Sequence, residues 1–165
     1  MKKIILSFII SLFACSYIFS QEKSELFMEY NTVPLNNKIE VYLNFIDNKV
    51  NKDKPFTYYK ITNKKEEISS KELRKDFRLK LKKNKSINDD SYFITLNGFK
   101  DFKVSANYSE SSKMTTIFYK PKRAWYNIER ITFYYKDKNE KKIDKIKITC
   151  KHFAEGKLAI FELKK

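Results

Sequence analysis

Between positions 38 and 46 every second residue is apolar, so that Ile39, Val41, Leu43 and Phe45 share one face of an extended segment. A side-chain repeat of two is what a strand with one buried face requires, and a helical repeat of 3.6 does not fit it. The alternation returns in Tyr92/Ile94/Leu96, Phe102/Val104/Ala106/Tyr108 and Met114/Thr116/Phe118, then in Ile131/Phe133/Tyr135 and Ile146/Ile148/Cys150. Residues 56–62 are aromatic and β-branched, 158–163 form the last apolar run, and 25–33 add a first strand. Turn-forming residues separate these runs at 34–37, Asn97-Gly98, 109–112 and 137–140. Connections this short pair neighbouring strands as antiparallel hairpins. The expectation is an all-β domain of about nine antiparallel strands, built as a sandwich or as a meandering barrel.

One segment breaks the pattern. Ser69 and Glu72 have capping-box spacing, Ile68 is placed to staple onto Leu73, and Leu73, Phe77 and Leu81 recur at i, i+4 and i+8. This predicts one short helix near 69–82, with alternation resuming at Phe77-Arg78-Leu79-Lys80-Leu81.

The first twenty residues have the grammar of an export signal. Lys2 and Lys3 precede an apolar run from Ile4 to Ala14, which continues in weaker form to Phe19 and turns polar at Gln21. The run falls short of the ~20 apolar residues of a spanning helix and is interrupted by Ser7, Ser11 and Ser16. Cleavage after Ser20 leaves residues 21–165 as a single β-rich domain. The alternative is lipidation at Cys15, since Leu12-Phe13-Ala14-Cys15 resembles a lipoprotein signal. Phe13 is bulky for that motif, and the apolar run continues beyond the cysteine. Either way the expected location is the periplasm, the outer surface or the medium of a bacterium, with a membrane-anchored lipoprotein as the second reading.

Length and composition then set bounds. The chain has 165 residues, of which 42% are hydrophobic and 16% aromatic, enough to fold despite its charge. Loss of the signal takes the net charge from +15 to +13. Only four of the 35 basic residues, Arg74, Arg78, Arg123 and Arg130, are arginine, the residue favoured for bidentate phosphate recognition. With export, this argues against a nucleic-acid partner and leaves anionic envelope surfaces, polysaccharides or a protein. Cys150 is the only thiol that remains after either processing route, so no internal disulfide forms.

Three constellations are candidates for function. Lys71, Lys75, Arg78 and Lys82, with Lys85, fall on one stripe of the predicted helix; if the segment is a strand, Arg78, Lys80 and Lys82 still share a face. Lys122, Arg123, Trp125 and Tyr126 bring the only tryptophan beside cations, a combination suited to stacking on a sugar ring or an extended peptide. Cys150-x-His152 offers two potential ligands on one strand, too few for zinc, and a nucleophile pair would need a third, orienting group. With only Gly98 and Gly156 in the chain, glycine-rich phosphate loops and nucleophile elbows are excluded. No cofactor, metal or catalytic residue is predicted. The reading is a non-catalytic binding or structural module of the envelope or exterior, with a lipid-anchored envelope protein as the alternative and a small secreted hydrolase as a third possibility.

Overall fold

A computed structural model describes residues 22–33, 37–83, 92–105, 107–109, 113–115, 117–118, 125–136 and 142–165, with the backbone alone for 107–109, 113–115, 117–118 and 125. The described chain is almost entirely extended. Strands β1 (Glu22–Val33), β2 (Lys38–Ile46), β3 (Lys49–Val50), β4 (Phe56–Ile61) and β5 (Lys65–Ile68) come first. A single 3-10 turn at Lys75–Phe77 leads into β6 (Leu79–Lys83), β7 (Tyr92–Leu96) and β8 (Phe99–Ser105). The short segments β9 (Asn107–Ser109), β10 (Lys113–Thr115) and β11 (Ile117–Phe118) follow. Three long strands complete the chain, β12 (Trp125–Tyr135), β13 (Ile143–His152) and β14 (Leu158–Lys164).

These strands form a large sheet in the order β14-β13-β12-β1-β2-β4-β5, a three-stranded sheet β6-β7-β8, and the hairpin β9–β10. Neither main sheet closes on itself, so the sandwich-like alternative holds and the barrel does not. Two further expectations are corrected. There are more strand segments than nine, and the large sheet is mixed, because β1 runs antiparallel to β2 but parallel to β12. A parallel pair needs a long crossover. Here everything from β2 to β11 lies between its two strands.

The predicted helix near 69–82 is also corrected. Its cap is real: the Ser69 N–H donates to Glu72 Oε2 at 2.6 Å, and the Glu72 N–H donates to the Ser69 carbonyl at 3.1 Å. Hydrogen bonding from Ser69, first from its side chain and then from its backbone N–H, pulls the Glu72 carboxyl below its usual range. It closes a turn, however, and no helix follows. From Leu79 onward the backbone pairs with β7, Leu79 opposite Leu96 and Leu81 opposite Ile94. Cross-strand pairing satisfies the same backbone groups as a helix and also drives Leu79 into the core.

Alternation in sequence becomes burial in space. Ile39, Val41, Leu43 and Phe45 all point inward, as do Ile131, Phe133, Ile146, Ile148 and Cys150. Ile94, Leu96, Phe99, Phe102 and Val104 of the small sheet join them in one core. A bulge between Leu26 and Met28 turns both Phe27 and Met28 inward. The sheets are tied by the Leu79 N–H, which donates to the Tyr58 hydroxyl at 3.2 Å. Asp47 and Asn48, with φ of 49° and 63°, make the tight β2–β3 turn that these residue types tolerate. At the centre, Tyr30, Phe77 and Phe133 pack together tilted or edge-on, with ring centroids 4.4–6.1 Å apart.

Tyr30 is wholly buried, and among the described residues its hydroxyl has no hydrogen-bond partner. Burial, followed by the nearby Tyr58, pushes its pKa well above the usual tyrosine value. An orphaned buried hydroxyl carries a desolvation cost that a phenylalanine avoids. Tyr30→Phe is therefore expected to raise stability by about 1 kcal/mol, read as a higher urea midpoint at unchanged slope. A lowered midpoint would show that the hydroxyl is bonded after all.

Candidate binding face

The outer face of the small sheet gathers lysines. In β6, Lys80 and Lys82 point away from the core because Leu79 and Leu81 point towards it. Across the sheet Lys80 stands opposite Thr95, and Thr95 opposite Lys103; Lys82 stands opposite Phe93. A bulge in β8 after Phe99 adds Lys100. These side chains, with Lys83 and the Asn97-Gly98 turn, line a half-open concavity of about 400 Å³ with no carboxylate among its described lining residues. Phe93 lies half-buried in it, and the Thr95 hydroxyl donates to the Lys80 carbonyl at 3.4 Å. Gly98, at φ +84°, makes the turn that ends β7, and its lack of a side chain matters. A Cβ there would stand 3.0 Å from Cε of Lys165, whose ammonium pairs with Asp76.

The other outer face is built differently. Across β12, β1, β2 and β5 runs a ladder in which each cation has an acid: Arg130 to Glu29 at 3.4 Å, Lys38 to Glu29 at 2.7 Å and to Glu40 at 3.5 Å, and Lys65 to Glu40 at 2.9 Å. Lys54 pairs with Glu67 and Lys145 with Glu162, each at 3.0 Å. Lys65 also donates to the Tyr42 hydroxyl at 2.6 Å and lies over the Tyr42 and Tyr59 rings. Hydrogen bonding to Glu29 raises the Lys38 pKa, and bonding to Lys65 lowers that of Glu40. By contrast, Lys80, Lys82, Lys100 and Lys103 make no ion pair with any described carboxylate. Neighbours on one strand, about 7 Å apart, repel by about 0.6 kcal/mol in water.

The structure disperses the basic stripe read from the sequence. Lys85 lies outside the described residues, and of the described members only Lys82 reaches the concavity. Arg78 turns back on the preceding loop, its guanidinium donating to the Leu73 carbonyl at 3.0 Å and the Lys71 carbonyl at 2.7 Å. Lys71 and Lys75 are exposed on that loop, away from the small-sheet face. Lys80 belongs to the face through the strand alternative. Lys100 and Lys103 were missed, although Phe102/Val104 alternation placed Lys103 outward and the Asn97-Gly98 turn announced the hairpin that carries it.

The aromatic constellation is only partly visible. Cys15, Lys122, Arg123 and the Trp125 side chain lie outside the described residues. Tyr126 packs edge-on against His152 and Phe161, at 5.2 and 5.0 Å, as part of the core margin. Cys150 and His152 do not form a nucleophile pair. The His152 Nδ1 accepts from the Glu155 N–H at 3.1 Å, and the Cys150 thiol points to the Ile148 carbonyl. Burial pushes that thiol up to about 12, the reverse of an activated nucleophile. Among the described residues no cluster of His, Cys, Asp or Glu could hold a metal ion. A second cavity of about 300 Å³ between β1, β2 and β4 is polar but internally satisfied: Asn44 donates to Thr57 and to the Lys54 carbonyl and accepts from Ser24.

No protein-family model, curated protein or solved structure matches the chain.

The buried ionisable groups predict an alkaline limit. Burial raises Cys150 from 9.0 to about 12 and Tyr58 from 10.0 to about 12. In both cases the folded pKa lies above the unfolded one, so the unfolded chain releases its proton first. Their contribution is complete below pH 9 and is lost as pH climbs towards 12. The urea midpoint is expected to decline from about pH 9. In Cys150→Ala the decline should start about one unit later, at the Tyr58 threshold. A flat midpoint to pH 11 would contradict the burial assigned to both groups.

Proposed function

We propose that this protein is exported and acts as a non-catalytic binding module, holding an anionic partner on the lysine face of β6–β8. One observation carries the reading: Lys80, Lys82, Lys100 and Lys103 converge on a concave surface with no carboxylate among its described lining residues, while the ladder across β12, β1, β2 and β5 pairs its cations with acids. Unpaired cations held in register create a local positive potential that attracts and orients a negative partner. The apolar, lysine-led N-terminus supports work outside the cytoplasm. No helix among the described residues is long and apolar enough to cross a membrane.

The export half is tested by intact-mass analysis of the protein recovered from membrane, periplasm and medium. An unmodified N-terminus at Gln21 supports the soluble form. Acylation at Cys15 would make the same module a membrane-tethered lipoprotein, and a full-length chain in the cytoplasm would remove the reading. The binding half is tested by charge placement. Lys80→Gln, Lys82→Gln and Lys103→Gln together should lower the salt needed to elute the protein from a sulfonated matrix. Lys60→Gln, Lys136→Gln and Lys151→Gln remove equal charge elsewhere and should lower it less. Equal shifts would mean that only net charge matters, and the face would lose its claim.

A further inference from the structure

Resting on the lysine-face reading, we infer that the anionic partner is an acidic polysaccharide, gripped by the lysines and stacked on Phe93. Three features of the concavity point to this chemistry. Its cations among the described residues are all lysines, which act as point charges on flexible stems and have no planar fork for bidentate phosphate recognition. They border an aromatic ring: Lys82 stands directly opposite Phe93, and the Lys80–Thr95–Lys103 row lies one step along the strands. A uronic-acid chain carries both complements, a carboxylate for the ammonium groups and a CH-rich ring face for the phenyl ring. Thr95 and Asn97 line the same concavity and supply polar groups for sugar hydroxyls.

A bilayer fits the site less well. Membrane-surface docking relies on apolar side chains that project into the headgroup region. In this concavity the aromatic side chain is half-buried, and Leu96 and Phe99 belong to the core. A recessed ring is open to a single polymer chain lying across the strands and closed to a flat lipid surface.

The test uses the protein as its host processes it, titrated calorimetrically with polygalacturonate at low and physiological salt. Phosphatidylglycerol-containing vesicles are the parallel arm. Polygalacturonate is expected to bind, with affinity falling as salt rises. Lys80→Gln/Lys82→Gln/Lys103→Gln should weaken it at least tenfold. The control triple Lys60→Gln/Lys136→Gln/Lys151→Gln should change it less than threefold. Phe93→Leu keeps an apolar side chain for packing and removes the π face, so a loss of about fivefold with an unchanged thermal midpoint is expected. Unchanged affinity in Phe93→Leu would overturn the stacking and with it the sugar assignment. Vesicle binding without polygalacturonate binding would overturn the polysaccharide and leave the lysine-face reading intact. Failure to bind either ligand would end both.

Discussion

Strand β1 is paired along both edges, and those two edges are completed by very different parts of the chain. Towards β2 the partner follows directly, with Tyr30 opposite Ile39 and Met28 opposite Val41. Towards β12 the partner arrives about a hundred residues later, Tyr30 now standing beside Ile131 and Glu29 beside Arg130. A buried strand cannot leave one row of backbone groups unsatisfied. The central strand is therefore finished only once the small sheet and the β9–β10 hairpin have been laid down between its two partners. At this seam Tyr30, Ile131 and Phe133 are wholly buried, and Phe77 from the 3-10 turn packs onto Tyr30 and Phe133 across it. The loop that carries Phe77 is thus a structural clasp, which explains why Arg78 at its end donates to backbone carbonyls and is not presented outward.

How legible this was follows from the range of the interactions. Period-two alternation reports a local fact, which side chains face the core, and Ile39–Phe45 or Ile146–Cys150 were readable for that reason. The turn at Asn97-Gly98 is local too, and so was readable, whereas the Asp47-Asn48 turn was not singled out. The parallel β1–β12 pairing was not readable, because nothing within either strand distinguishes a parallel neighbour from an antiparallel one. The helix near 69–82 failed in a more instructive way. Its capping bond forms, and Leu73 and Phe77 are buried as a helical face would bury them. They reach the core from a turn, however, and Leu81 reaches it from a strand. An i, i+4, i+8 pattern arose from two different local structures joined end to end.

The same reasoning explains the partial recovery of the binding face. Its lysines come from two strands, β6 and β8, and only the pairing of both with β7 brings them together. Within β6, Lys80 and Lys82 were visible as one strand face. Lys100 and Lys103 needed the β7–β8 register, including a bulge that one-dimensional alternation does not reveal. Composition was misleading in the opposite direction. A net charge of +15 suggests a uniformly basic surface, yet the ladder from Arg130 to Lys65 is locally balanced. What distinguishes the small sheet is the placement of acids, not the abundance of lysine.

Magnitudes show why the fold tolerates such a face. A few exposed lysine neighbours at about 0.6 kcal/mol each, further reduced by salt, sum to roughly the gain from burying one large apolar side chain, about 2 kcal/mol. The inner face of the same three strands buries Leu79, Ile94, Leu96, Phe99, Phe102 and Val104. Three strands alone would be marginal, and it is this shared core, with the Tyr58–Leu79 bond and the Lys165–Asp76 contact at the far end, that holds them in place. Because strand side chains alternate between faces, the surplus on the inner side leaves the outer side free to carry charge that folding does not need. On the proposed reading, the repulsion left there is what a polyanion would relieve on binding, with the inner face of the small sheet serving stability and its outer face recognition.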